Sequence, residues 1–211
     1  MNRKFNRGVI FLNKKGVIII GIIILILIIS AILYYNFSKN GNTNINKTDE
    51  QIVQDILNIS SYKAKVEIEV TSNKNSNKYI VKQELKRGNI SKQEVIEPEN
   101  LAGIITEHDG KNLKIVNNRL NLTTTYENYE YIVNNRLWLD SFISEYKNSS
   151  STNTIVEENQ IILEIQSKDD IYNTYKRLYI DKKTGKPTKM TVADINKKMT
   201  AYILYSEIEI S

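Results

Sequence analysis

A change of hydrophobic period at Tyr62 limits the fold more than any other feature of the chain. Tyr62, Ala64, Val66, Ile68 and Val70 alternate with Lys63, Lys65, Glu67, Glu69 and Thr71. In extended backbone, successive side chains point to opposite faces, so this segment is a strand with one buried face and one wet face. Similar segments recur to the end of the chain: Lys78–Leu85, Ile90–Ile96, Leu101–Thr106, Lys111–Val116, Leu120–Tyr126, Thr154–Glu158, Gln160–Ser167, Tyr172–Asp181, Pro187–Asp194 and Thr200–Ile210. Polar turns separate them, and Asp109-Gly110 is a strong hairpin signal. Strands in series without helical crossovers pair antiparallel. A sheet of about ten strands has to curl, so the expected fold is α+β, a curved antiparallel half-barrel.

Two segments keep a helical period instead. Thr48 is placed as an N-cap with Gln51 completing a capping box, and Asp49 and Glu50 suit the positive helix end. Ile52, Val53, Ile56 and Leu57 form its apolar stripe, and Asn58–Ser61 ends it. Over Arg136–Tyr146, the residues Leu139, Phe142, Ile143 and Tyr146 follow i, i+3, i+4, i+7 spacing. These two helices are expected to cover the concave face of the sheet.

Ahead of this domain, Gly16–Tyr35 carries no charge, and Ser30 is its one appreciably polar side chain. At ~1.5 Å per helical residue it reaches about 30 Å, the thickness of a hydrocarbon core. Arg3, Lys4, Arg7, Lys14 and Lys15 precede it without any acid, which keeps that side in the cytoplasm. A cleaved signal peptide would have a shorter apolar run and a small-x-small cleavage site, whereas this run leaves through Leu33, Tyr34, Tyr35 and Phe37. The expected organisation is a cytoplasmic basic tail over 1–15, a single-pass anchor over 16–35, an Asn-rich tether over 36–47 and an extracytoplasmic domain over 48–211.

The charge balance excludes one class of partner. The formal charge is +5, but the five basic residues of the tail leave 24 Lys and Arg against 24 Asp and Glu in the rest. A neutral domain has no electrostatic reason to seek phosphates. The chain has no cysteine, hence no disulfide, thiolate metal site, cysteine nucleophile or lipidation site. Its single histidine, His108, stands beside the Asp109-Gly110 turn and is expected to be exposed. One histidine without cysteine cannot build a His-rich zinc site. Asp169-Asp170, Glu157-Glu158 and the Glu97/Glu99 pair sit in turns or on polar faces, and no phosphate loop or nucleophile elbow is present. No catalytic residue, cofactor or metal is therefore expected.

Aromatic surface is what remains. There are 13 tyrosines and one tryptophan, Trp138, at the edge of the second helix stripe. Trp138, Leu139, Phe142 and Tyr146 either fill the core beneath the sheet or border a groove for lipid or protein. Free strand edges offer a second route, by accepting a partner's strand.

Several segments resemble a known family. The N-terminal helix, the strand YKAKVEIEV, the hairpin GIITEHDGKNLKIVN and the stretch LYIDKKTGKPTKMTVADIN before a Tyr-rich closing strand resemble the lipoprotein-carrier fold of LolA and LolB. Within it, the Asn/Lys-rich clostridial GerS-like germination family is the nearest likeness, over about Asp49–Ile210. The resemblance implies a non-enzymatic sporulation and germination protein that binds and supports the zinc-dependent cortex amidase CwlD, an N-acetylmuramoyl-L-alanine amidase. The zinc would belong to that partner. The family carries a lipidated cysteine, and here the apolar run stands in its place. A second copy of the chain is admitted as a partner. The alternative is a lipid or lipoprotein carrier, or an RseB-like envelope sensor, using the concave face.

Overall fold

The computed structural model describes residues 47–72, 75–87, 90–129, 137–167 and 170–211. The expected basic tail, the anchor over 16–35 and the tether up to residue 46 lie outside the described residues. Among the described residues, no helix is long and apolar enough to cross a membrane.

Helix α1 (Asp49–Leu57) starts at the predicted capping box. The Thr48 hydroxyl accepts from the Gln51 N–H at 3.3 Å, and the Gln51 side chain accepts from the Thr48 N–H at 2.9 Å. Ile52 and Ile56 form its buried stripe. Eleven strands follow among the described residues: β1 (Tyr62–Thr71), β2 (Ser76–Lys86), β3 (Ile90–Glu97), β4 (Ile104–Asp109), β5 (Leu113–Asn117), β6 (Leu122–Tyr126), β7 (Thr152–Val156), β8 (Gln160–Gln166), β9 (Tyr175–Asp181), β10 (Lys186–Ala193) and β11 (Met199–Ile210). Helix α2 (Leu139–Asn148) lies between β6 and β7.

All the strands belong to one antiparallel, open sheet in the order β6-β5-β4-β3-β2-β1-β11-β10-β9-β8-β7. Two meanders, β1–β6 and β7–β11, meet where β1 pairs with β11. Leu163, Leu178, Met190, Ile203 and Ile68 line up across five strands, each beside the next. Parallel to that row stand Tyr205, Val66 and Val81. With Ile52 and Ile56 of α1 and Leu139, Phe142 and Ile143 of α2 they form one buried cluster, so both helices cover the same face.

Element limits depart from the sequence expectation where a side chain closes a turn. The Asp170 carboxylate accepts the N–H groups of Tyr172 and Asn173 at 3.0 and 3.1 Å, so β9 begins at Tyr175 instead of Tyr172. The Asn117 side chain likewise accepts from Arg119 and Leu120, which moves the start of β6 to Leu122. The Leu101 N–H bonds back to the Pro98 carbonyl at 2.9 Å, which holds residues 98–101 in a turn and delays β4 to Ile104.

Candidate functional site

Helix α2 supplies the four aromatic and apolar residues singled out from the sequence. Trp138 takes the N-cap position, where its carbonyl accepts the Phe142 N–H at 3.2 Å. Trp138, Leu139 and Phe142 are 3%, 0% and 1% exposed, so they sit inside the core between helix and sheet. Trp138 meets Tyr62 edge to face, with ring centroids 6.3 Å apart. Phe142 stacks on the half-buried ring of Tyr146 at 6.1 Å, and the Tyr146 hydroxyl is 2.8 Å from Thr154 Oγ1 on β7. Together the four seat α2 on the sheet. A groove at these positions requires the helix to lift.

This packed face is not purely apolar. The Trp138 indole N–H and the Tyr205 hydroxyl are buried and meet no hydrogen-bond partner among the described residues. Burial, reinforced by the nearby Asp140 charge, holds the Tyr205 phenol far above its ordinary pKa, so it stays neutral. An unsatisfied buried polar group costs about 1–3 kcal/mol. Farther along, the Tyr62 hydroxyl reaches Gln83 at 3.4 Å, and the Gln83 amide donates to Gln93 at 3.1 Å. Lys176, 3% exposed, is ion-paired with Glu145 of α2.

His108 does not lie on the surface as its turn position predicts. It is 3% exposed, because β4 runs on to Asp109 and its period-two phase turns His108 toward Ser91 and Leu113 on the helix-covered face. The Gly110 N–H donates to Nδ1 at 3.1 Å, leaving Nε2–H to donate to the Tyr129 carbonyl, also at 3.1 Å. These contacts hold the imidazole in a structural role at the hairpin, a placement the strand phase carried to residue 109 would have revealed. Among the described residues, no group of three or more His, Cys, Asp and Glu side chains could hold a metal ion.

The sheet ends in two edges, β6 and β7. Every residue of β6 is exposed, and Leu120, Leu122 and Tyr126 beside or within it are 64%, 58% and 48% exposed. Sequence reasoning placed a strand here without marking it as an edge, since edge position depends on pairing and not on local pattern. An exposed strand edge with apolar side chains can accept a further strand.

Three solved structures are similar to this chain at low identity. A chain in the structure of the CwlD amidase from Clostridioides difficile in complex with the GerS lipoprotein is 24% identical, with a TM-score of 0.49; the match covers 78% of this chain and 96% of that one. An uncharacterized conserved protein from Thermus thermophilus is 15% identical, with a TM-score of 0.48 and coverage of 78% and 88%. A LolA superfamily protein from Nitrosomonas europaea is 12% identical, with a TM-score of 0.39 and coverage of 78% and 94%. No curated protein matches the chain. The model of a sporulation protein family does match, over residues 13–211, taking in the apolar run and the whole sheet domain together. The chain belongs to the YdcC-like family of sporulation proteins.

Proposed function

We propose that this chain is a membrane-tethered, non-enzymatic sporulation protein that binds a spore-cortex amidase of the CwlD type and supports its activity outside the cytoplasmic membrane. The observation that carries the reading is the family match over residues 13–211, which joins the apolar run and the sheet domain in one sporulation protein. The sequence resemblance to the GerS-like family over about Asp49–Ile210 suggests the partner class, and the five basic residues before the run favour the topology. The domain's part is to hold: its histidine is bound to backbone groups, and its helix-covered face is packed. Docking falls to the β6 edge, where exposed backbone and the side chains of Leu122 and Tyr126 offer a strand-addition surface.

Deletion in a spore former should yield spores whose cortex lacks muramic-δ-lactam, and the full-length protein should co-purify with the amidase from sporulating cells. Normal lactam content in deletion spores would end this reading. A proline placed in β6 at a position whose N–H faces away from β5 should break co-purification without unfolding the domain, because proline is tolerated there on sheet edges.

A second reading rests on Trp138 Nε1 and the Tyr205 hydroxyl, two buried polar groups beneath α2 that meet no hydrogen-bond partner among the described residues. A ligand entering under α2, as in a lipid carrier or an envelope sensor, could supply those bonds. Native mass spectrometry of protein extracted from its own membrane distinguishes the two, since a bound acyl species favours the sensor.

A further inference from the structure

The sheet face away from the helices divides into two different halves. Over β1–β6 it is a lattice of opposed charges, with Lys63 3.4 Å from Glu84 and Lys92 2.8 Å from Glu107. Exposed pairs of this kind are satisfied by one another and by water. Over β8–β11 the same face becomes aromatic. Tyr175 and Tyr179 point outward from β9, alternating with the buried Lys176, Leu178 and Ile180. Ile162 of β8, the register neighbour of Tyr179, belongs to this face and is nevertheless 6% exposed. This half therefore has an apolar floor of its own.

The middle of that floor is low. Thr191 and Ala193 of β10 are small, while Tyr179 and Tyr175 stand on β9 and Met199 on β11. The result is a trough of about 500 Å³. It reaches from Asn153 and Gln166 across to Met199 and takes in the Glu164 carboxylate, and its two tyrosines stand four residues apart, about 13 Å along the strand. The Lys189 ammonium is 4.1 Å from the centroid of the Tyr179 ring, and that of Lys197 is 5.8 Å from the Tyr175 centroid. Neither lysine forms an ion pair with a described residue, whereas Arg177 between them is held by Glu164 at 2.5 Å.

We propose that this trough binds a glycan strand bearing carboxylates at intervals. Pyranose rings present a flat C–H face, which stacks on tyrosine, while their hydroxyl and acetamido groups seek donors and acceptors such as Gln166, Asn153 and Thr191 around the trough. Lys189 and Lys197 rest on the rings as cation–π partners and are free to turn to a carboxylate when sugar takes their place. Two uncommitted cations suit a polymer with sparse negative charge. A nucleic acid, with a phosphate at every nucleotide, calls for a denser basic surface than a domain with 24 basic and 24 acidic side chains beyond the tail provides. The trough lies on the half of the sheet opposite the β6 edge, so this proposal and the amidase proposal fail independently.

The test is co-sedimentation of the full-length chain, in detergent, with purified peptidoglycan sacculi and with chitin. Wild type should sediment with sacculi and more weakly with neutral chitin. The double substitution Tyr175→Ala, Tyr179→Ala should lose roughly ten-fold in affinity for both. Lys189→Gln with Lys197→Gln, at a half-buried and an exposed position, should reduce binding to sacculi to the chitin level, with thermal melting of the variant checking that it remains folded. Wild type remaining in the supernatant, the lysine variant sedimenting like wild type, or tighter binding to a single-stranded oligonucleotide than to sacculi would each overturn the proposal.

Discussion

Lys176 of β9 and Glu145 of α2 join in an ion pair that ties the second helix to the sheet from beneath. The lysine side chain is 4% exposed and the glutamate 28%, so the two ends pay unequal desolvation. Removing only the glutamate strands a buried ammonium. Glu145→Ala should therefore destabilise by about 3 kcal/mol, lowering Tm by roughly 6–12 °C. Lys176→Met, which leaves a carboxylate that water can reach, should stay within about 1 kcal/mol of wild type. Thermal unfolding of the two variants side by side checks the asymmetry; equal losses would refute it.

The Asp109 carboxylate accepts the backbone N–H groups of Asn112 and Lys111 at 2.7 and 2.9 Å and the Asn112 side-chain amide at 3.0 Å. These bonds, led by the Asn112 N–H, hold its pKa at about 2, below the ordinary 3.8. A depressed folded-state pKa contributes stability that is present above the ordinary value and is lost as pH falls toward 2. Asp109→Asn should accordingly melt earlier than wild type at pH 6, with the two curves converging toward pH 2. A Tm gap that stayed constant over that range would contradict the carboxylate's role.

Thr48 and Gln51 close the first turn of α1 on each other. Thr48→Ala should cost about 1 kcal/mol. Amide hydrogen exchange should accelerate first at Glu50 and Gln51, whose N–H groups lie in the uncapped turn. Unchanged exchange there would show that α1 is held by its buried face alone.

Trp138 is the one tryptophan, and it is buried against Tyr62. Its emission should be blue-shifted in the native protein and move to the red on unfolding. Trp138→Ala should destabilise by about 3–5 kcal/mol, since it empties a large site under α2. Native emission at the wavelength of free tryptophan would mean that α2 is not seated.

Local chemistry made the small motifs legible. The capping box at Thr48, the Asp109-Gly110 hairpin and the stripe of α2 are each written within a few residues, and the structure contains all three. Strand limits were less legible, because Asp170 and Asn117 tie turns whose length depends on which backbone groups their side chains reach. His108 was misread for a related reason: a turn residue and the last inward position of a strand differ only in where pairing stops. The pairing of Val66 with Tyr205 had no local signal at all, since it joins segments at opposite ends of the domain. The site residues show the same limit. Periodicity identified the inward face of α2, but only packing tells a filled core from a groove.

The last strand of the chain lies in the middle of the sheet, with β1 on one side and β10 on the other. A terminal strand at an edge can be lost with modest damage, but β11 joins the two meanders. Until Met199–Ile210 has left the ribosome, each meander carries one unpaired interior edge and can complete only its own hairpins. The domain therefore cannot close its sheet before β11 is available. A truncation that removes Met199–Ile210 should yield two sticky half-sheets, destined for proteolysis, in place of a slightly shorter domain.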